Sequence, residues 1–245
     1  MNQKTIVITG GNSGIGFACA DYLIKHDFHV IITGRDSTKL DHALQKLGGK
    51  AEGYLVDAGD LTQIDGWVQS LQSEGRKIDG LFINAGIFVA AEFESTTEEI
   101  FDTSMNINFK GPFFTIQKFL PLLNNPSSIV LNTSIVVFKA FMNTSIYTSS
   151  KAALESLARV LNIELAPRGI RTNIISPGVT KTPILEKAGM SRSEVDQLMK
   201  SLEDSLPIGR AVLPTDIAPV LKFLMSDESM VLRNEKIIID GGSTL

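Results

Sequence analysis

The sequence predicts an α/β fold: a doubly wound, mostly parallel sheet of seven strands with helices on both faces. Three observations carry this. Seven short apolar runs recur, they alternate with segments of helical period, and a glycine-rich turn joins the first run to the first helical segment. The runs fall at 5–9, 30–33, 52–56, 80–84, 128–132, 172–176 and 236–240. Each has the length of a buried strand and is apolar on both faces, as strands of a parallel sheet are. Between them, helical period marks 15–25, 37–47, 61–73, 100–123, 146–166 and 215–225. Such alternation implies right-handed crossovers, with each helix packed back onto the sheet.

No repeat, low-complexity stretch or Pro/Gly-rich linker divides the chain, so residues 1–245 read as one domain. The alternation lapses only at 183–207, an insertion with two weak helical patterns and no strand. Following a late strand, at the carboxyl edge of the sheet, it stands where a substrate lid would sit. Leu185, Met190, Leu198 and Met199 alternate there with charges, as in a mobile amphipathic cover. With 43% hydrophobic and 20% charged residues the composition is that of a soluble globular protein. A net charge of −4 without any Lys/Arg run argues against nucleic acid and anionic membrane as partners. The lone Cys19 excludes an internal disulfide framework and fits a reducing compartment. The first apolar run is too short for a signal-peptide core and no later one spans a membrane, so a cytoplasmic protein is expected. The residues call for no metal.

After the first strand, Thr9-Gly10-Gly11-Asn12-Ser13-Gly14-Ile15-Gly16 leads into a helix. Glycines there permit a tight turn and let the backbone approach a pyrophosphate, which the helix N-terminus favours. A phosphate loop is excluded because Phe17, not Lys, follows Gly16; a nucleophile elbow is excluded because Ile15 stands two after Ser13. A glycine-rich turn without a ligand is the bland alternative. The second strand runs out at Gly34-Arg35-Asp36, about where a dinucleotide fold meets the adenosine ribose. A bare Gly34 leaves room for a 2′-phosphate and the Arg35 guanidinium can hold one bidentately, which points to NADP. Asp36 keeps NAD open, since an acidic residue there would bind the ribose hydroxyl. Equally, Arg35 can be a solvated loop charge and Asp36 a helix cap.

Tyr147 and Lys151 stand four apart at the start of a long amphipathic helix and share its face with Leu154, Ala158, Leu161 and Leu165. A core tyrosine with a snorkelling lysine would look the same. Against that, an ammonium beside a phenol favours phenolate and brings the hydroxyl toward general acid/base work. Ser134 closes the run 129–134, where a hydroxyl leaving a parallel strand points into the ligand crevice. Asn108 is a polar residue among apolar neighbours on a helix, placed to bind backbone or water.

Together these features resemble the short-chain dehydrogenase/reductase family, in its single-domain branch of roughly 250 residues. The likeness covers nearly the whole chain. It rests on Thr9-Gly10 with Gly14 and Gly16, Asp57, Asn84-Ala85-Gly86, Asn108, Ser134, Tyr147 with Lys151, Pro177-Gly178 with Thr182, and Asp240-Gly241-Gly242. The resemblance implies a Rossmann fold, a nicotinamide cofactor and a homotetramer. It implies that Asp57 and the Ala58 backbone bind adenine, and that Asn84, Ala85 and Gly86 line the adenosine side and steady the central strand. Ser134 would hold the substrate oxygen while Tyr147 moves its proton. Lys151 would hold the nicotinamide ribose and lower the tyrosine pKa, and Asn108 would place a relay water through its effect on the helix. Pro177, Gly178 and Val179 would pack near the nicotinamide, and Thr182 would bond its carboxamide.

Some positions depart from the family pattern. Ile83 stands where many members have a second Asn, and the bulky Ile135-Val136-Val137-Phe138 follows Ser134. Asn234 stands at a turn where Gly is common, and Asn tolerates the same left-handed geometry. The expected activity is hydride transfer between NADP(H), or NAD(H), and a ketone or secondary alcohol. An enoyl reductase and a non-catalytic nucleotide sensor are the rivals; the first is expected to space Tyr and Lys six apart, the second to have lost one of them. Phe88, Phe138, Phe141 and Met142 are candidates for an apolar substrate pocket, or for core.

Overall fold

Runs of Ile, Val, Leu and Phe assemble into one parallel seven-stranded sheet in the order β3-β2-β1-β4-β5-β6-β7. The strands are β1 (Thr5–Ile8), β2 (His29–Gly34), β3 (Ala51–Leu55), β4 (Ile78–Ile83), β5 (Leu123–Asn132), β6 (Ile170–Pro177) and β7 (Lys236–Ile239). The computed structural model describes residues 3–245, so Met1 and Asn2 of the expected domain lie outside the described residues. Central β1 and β6 are buried almost throughout, while edge strands β3 and β7 alternate exposed and half-buried positions. That is the pattern of a sheet covered on both faces in its middle.

Among the described residues nine α-helices cover it: α1 (Gly14–Ile24), α2 (Ser37–Lys46), α3 (Leu61–Ser73), α4 (Glu98–Met105), α5 (Gly111–Phe119), α6 (Ser145–Glu164), α7 (Ile184–Lys187), α8 (Arg192–Ser205) and α9 (Pro214–Met225). On one face α3, α5 and α6 bury Trp67, Leu71, Ile116, Phe119 and Leu154 against Val7, Leu81 and Leu131. On the other, α1, α2 and α9 bury Leu23, Leu40 and Leu221 against Ile6, Ile8 and Ile32. Each such side chain contributes about 1.5–3 kcal/mol when fully buried. The helices start where short polar side chains satisfy free backbone N–H groups. Asp36 accepts from Lys39 N, Asp60 from Thr62 and Gln63 N, and Ser191 with Glu194 closes a capping box on α8. The sheet order reverses beside β1, with β4 on one side and β2 on the other, so a crevice opens at the carboxyl ends of these strands.

The helix expected at 100–123 is instead three pieces. α4 gives way to a π-helical turn at Asn106–Lys110 before α5 begins, and α5 ends at Phe119. Pro112 cannot donate back into the preceding turn. Gly111 presses on the neighbouring loop so closely that a Cβ would lie 1.7 Å from the Ala58 carbonyl oxygen. The expected lid resolves into α7 and α8, held by a small cluster of its own in which Val195, Met199 and Ala211 pack with Leu185, Met190 and Leu198. Asn234 takes the left-handed conformation its turn requires, with φ 58°. Among the described residues no helix is long and apolar enough to cross a membrane.

Candidate functional site

The carboxyl ends of β1, β2, β4 and β5 open onto a cleft of about 360 Å³. Gly10, Asn12, Ser13, Gly14 and Ile15 form its glycine-turn wall, Gly34 and Arg35 its outer wall, and Asp57, Ala58, Asn84, Ala85, Gly86 and Thr182 the remainder. The turn works because Gly10 and Gly14 sit at φ +65° and +55°, conformations that residues with a Cβ rarely adopt. Thr9 and Gly16, expected among the cofactor residues, do not line the cleft but shape it from behind. The Thr9 hydroxyl accepts from the Asn84 and Ala85 N–H groups at 2.9 and 3.0 Å. A Cβ on Gly16 would meet the Gly10 carbonyl at 2.5 Å.

At the outer end Gly34 lines the cleft, and the Asn12 side chain fills the space a Cβ there would take. Asp36 is occupied as the cap of α2 and pairs with Lys39 Nζ at 3.1 Å; the backbone hydrogen bond from Lys39 is the main cause holding its carboxyl below the usual range. Asp57 accepts from Gly59 N at 2.8 Å, fixing the loop that floors the cleft.

The middle of the cleft is an amide network. Asn84 Nδ2 donates to the Thr9 and Gly10 carbonyls, and Asn132 Nδ2 donates to Asn84 Oδ1 at 3.0 Å, tying β1, β4 and β5 together. Asn108, fully buried in the π-helical turn, binds backbone: Oδ1 accepts from Ile87 N at 2.9 Å, while Nδ2 donates to Ile87 O and to Ser150 Oγ. Its direct effect is therefore to clamp the loop after Gly86 onto α6.

Ser134, Tyr147 and Lys151 converge at the inner end. β5 delivers Ser134 in extended backbone, and the first turns of α6 deliver Tyr147 and Lys151. Lys151 is 4% exposed; its Nζ donates to the Asn132 carbonyl at 2.9 Å and lies 5.8 Å from the Tyr147 ring centre. A Cβ on Gly86 would come within 3.3 Å of that Nζ, so the cleft floor and the ammonium adjoin. The expected lowering of the tyrosine pKa by lysine is not what this geometry gives. Burial pushes the Tyr147 phenol up to about 12, with the hydrogen-bonded Ser134 hydroxyl as the smaller, opposing influence. Burial likewise brings the Lys151 ammonium down to about 8. The ammonium is turned to a carbonyl, and desolvation is the larger influence on the phenol.

The phosphate-bearing cofactor implied by the motifs fits this cleft. Glycine backbone and the start of an eleven-residue helix form one wall, suited to a pyrophosphate. At the inner end the buried Asn132 Oδ1 has no partner among the described residues. Pro177, Gly178 and Val179 do not line the cleft wall, nor do Ser134, Tyr147 and Lys151, which adjoin it through Asn132 and Gly86. Gly178 packs so tightly on Asp240 that a Cβ would lie 2.8 Å from its Cα, and Val179 joins the lid cluster. Of the apolar pocket candidates, Phe88 alone touches the site, packing edge-on to Tyr147 at 5.0 Å. Phe138 and Phe141 line a separate outer hollow of about 500 Å³ with Phe93, and Met142 is 90% exposed. Sequence reasoning missed Asn132, Ile107, Lys39 and Lys187 at the cleft, and Ser150 behind it. Asn132 was legible as the polar end of β5; Lys39 and Lys187 carried no signal beyond their charge.

The family model described as enoyl-(acyl carrier protein) reductase matches residues 10–244. The 3-oxoacyl-[acyl-carrier-protein] reductase of Thermotoga maritima is 32% identical over 99% of this chain and 98% of its own. Human dehydrogenase/reductase SDR family member 4 is 30% identical over 98% of this chain and 87% of its own. Among solved structures, a blue fluorescent protein from a metagenomic library, in complex with NADPH, superposes with TM-score 0.88 at 26% identity, covering 100% of this chain and 99% of that one.

Proposed function

The chain belongs to the short-chain dehydrogenase/reductase family of NAD(P)-dependent oxidoreductases, and within it we propose an NADPH-linked ketone reductase, in reverse a secondary-alcohol dehydrogenase, with Tyr147 as general acid/base. The convergence of Ser134, Tyr147 and Lys151 at the inner end of the cleft carries this reading. The cofactor would lie along the glycine turn and Asp57 floor, held near the reacting end by Lys151 and Thr182, and it supplies the hydride. Ser134 donates a hydrogen bond to the substrate carbonyl oxygen. As charge develops there, the Tyr147 hydroxyl delivers its proton to that oxygen. A phenol held near 12 keeps its proton at neutral pH, which suits a donor and favours the reductive direction. Lys151, mostly protonated below about 8, stabilises the phenolate that forms. Phe88 against the ring limits water at the phenol. Asn108 holds the Ile87 backbone and α6 in register, a positioning role through which a relay water would be placed.

NADPH is favoured over NADH because Asp36 is spent on the α2 cap while Arg35 remains on the cleft wall; the NADPH-bound structural relative supports the same choice. Reduction of an enoyl thioester is the second reading, and the matched family model's description speaks for it. The four-residue spacing of Tyr147 and Lys151 speaks for the ketone. A non-catalytic sensor is disfavoured by the presence of both. Phe101, Phe113, Val160 and Ile163 leave apolar surface exposed on α4–α6, which supports the homotetramer we assign. The lone buried Cys19 suits a reducing, cytoplasmic setting. Tyr147→Phe tests the assignment: turnover is expected to fall roughly 10³-fold with NADPH affinity nearly unchanged in a fluorescence titration. Retained turnover would sink the role of Tyr147.

A further inference from the structure

Among the described residues, Lys39 is paired with Asp36 but neither Arg35 nor Lys187 has an ion-pair partner. All of them line the outer end of the cleft. Arg35 stands just past β2 and Lys39 in the first turns of α2, whereas Lys187 ends α7 and so belongs to the lid. Lys187 nonetheless reaches across to the glycine turn, its Nζ 3.5 Å from Ser13 Oγ. The Ser13 hydroxyl makes no capping bond to α1 and is free to share a ligand. Partial desolvation, then the like charges of Lys39 and Arg35, push the Lys187 ammonium below the usual lysine value, against Asp36 alone. Cations from β2, α2 and the lid therefore crowd one spot, and an anion there would relieve them.

We propose that Lys187 is a specificity-determining residue that binds the 2′-phosphate of NADP(H) together with Arg35 and Ser13, so that this phosphate, rather than the dinucleotide as such, draws the lid onto the cleft. The inference rests on the NADP reading above. A phosphate monoester carries up to two negative charges and several acceptor oxygens, enough to engage a guanidinium and an ammonium at once. The pyrophosphate is common to NAD(H) and NADP(H), so an ammonium serving it would not discriminate between them. Because α7 and α8 share one apolar cluster through Leu185, Met190 and Val195, fixing Lys187 also fixes the longer helix.

The test compares wild type, Lys187→Met and Lys187→Arg by NADPH and NADH titration, and by hydrogen exchange across residues 184–205 with NADP⁺, NAD⁺ or no ligand. Lys187→Met is expected to weaken NADPH roughly tenfold and NADH less than twofold, a single charge-assisted contact being lost. It should also abolish the extra lid protection that NADP⁺ gives over NAD⁺, and Lys187→Arg should keep both. Equal weakening of the two cofactors, or no change in either, overturns the proposal while wild type still prefers NADPH. A wild type with no preference for NADPH overturns the NADP reading, and this inference with it.

Discussion

At its inner end the cleft is held by the backbone: Lys151 is tied to the Asn132 carbonyl, Asn108 to both polar groups of Ile87, and Asn84 to the Thr9 and Gly10 carbonyls. At its outer end Arg35, Lys39 and Lys187 stand on a loop, a helix and a lid, and among the described residues their only carboxylate partner, Asp36, is shared with a helix cap. Lys151 and Asn108 are buried and each has a fixed position, and desolvation shifts the pKa of Lys151 and of its neighbour Tyr147. The outer cations are exposed side chains, Lys187 partly desolvated among them, and on the proposed reading an anion would organise them. On the proposed reading, reaction class would be built into rigid main chain, while cofactor choice would be left to side chains that substitution can retune.

The largest effect is expected at Lys151. Lys151→Met should lower the kcat/KM of reduction roughly 10³-fold, since the phenolate loses its counter-charge. The same substitution should raise the melting temperature of the cofactor-free protein. The folded lysine is depressed to about 8, so the unfolded chain binds more protons above that pH. Stability then rises with pH from about 8 toward the normal lysine value, and the buried ammonium costs stability below it. For the intact enzyme, reduction should hold steady below about pH 8 and decline above it as Lys151 loses its proton. A melting temperature that falls in Lys151→Met would show that the inner end gains more from the ammonium than its desolvation costs.

Next comes Asn108→Ala, expected to destabilise the protein by about 2 kcal/mol, because the part-buried Ile87 N–H and carbonyl lose their partner. Chemical denaturation measures it; a loss below about 1 kcal/mol would mean the π-helical turn does not depend on this clamp. Arg35→Ala is the mildest of the three. It should weaken NADPH roughly 30-fold, one bidentate phosphate contact, and leave NADH within about threefold. Equal loss for both cofactors would show that the outer end does not read the 2′-phosphate.

The sheet was legible because both-faces-apolar runs such as β1 and β6 have few other fates, and the inner site because Tyr147 and Lys151 share a helical face. The break at Asn106–Lys110 was only half legible: Pro112 signals it in the sequence, but the close approach of Gly111 to the distant Ala58 carbonyl leaves no trace in apolar period. The sign of the tyrosine shift was misread for a related reason. Spacing places an ammonium near a phenol but says nothing of how dry the phenol is or which way the ammonium points. Lys187 was invisible as a cleft residue because α7 is a four-residue helix whose position depends on the packing of α8. That the Asn12 side chain, more than twenty residues earlier, packs against Gly34 was likewise not legible in the sequence.

The most direct measurement is cofactor oxidation by the purified protein across a panel of ketones and enoyl thioesters, with NADPH and NADH in parallel. NADPH-dependent turnover of at least one ketone class, at roughly tenfold or greater preference over NADH, with the enoyl thioesters left unreduced, is the result expected. Consumption of NADPH with enoyl thioesters alone, or equal turnover with NADH, would contradict it.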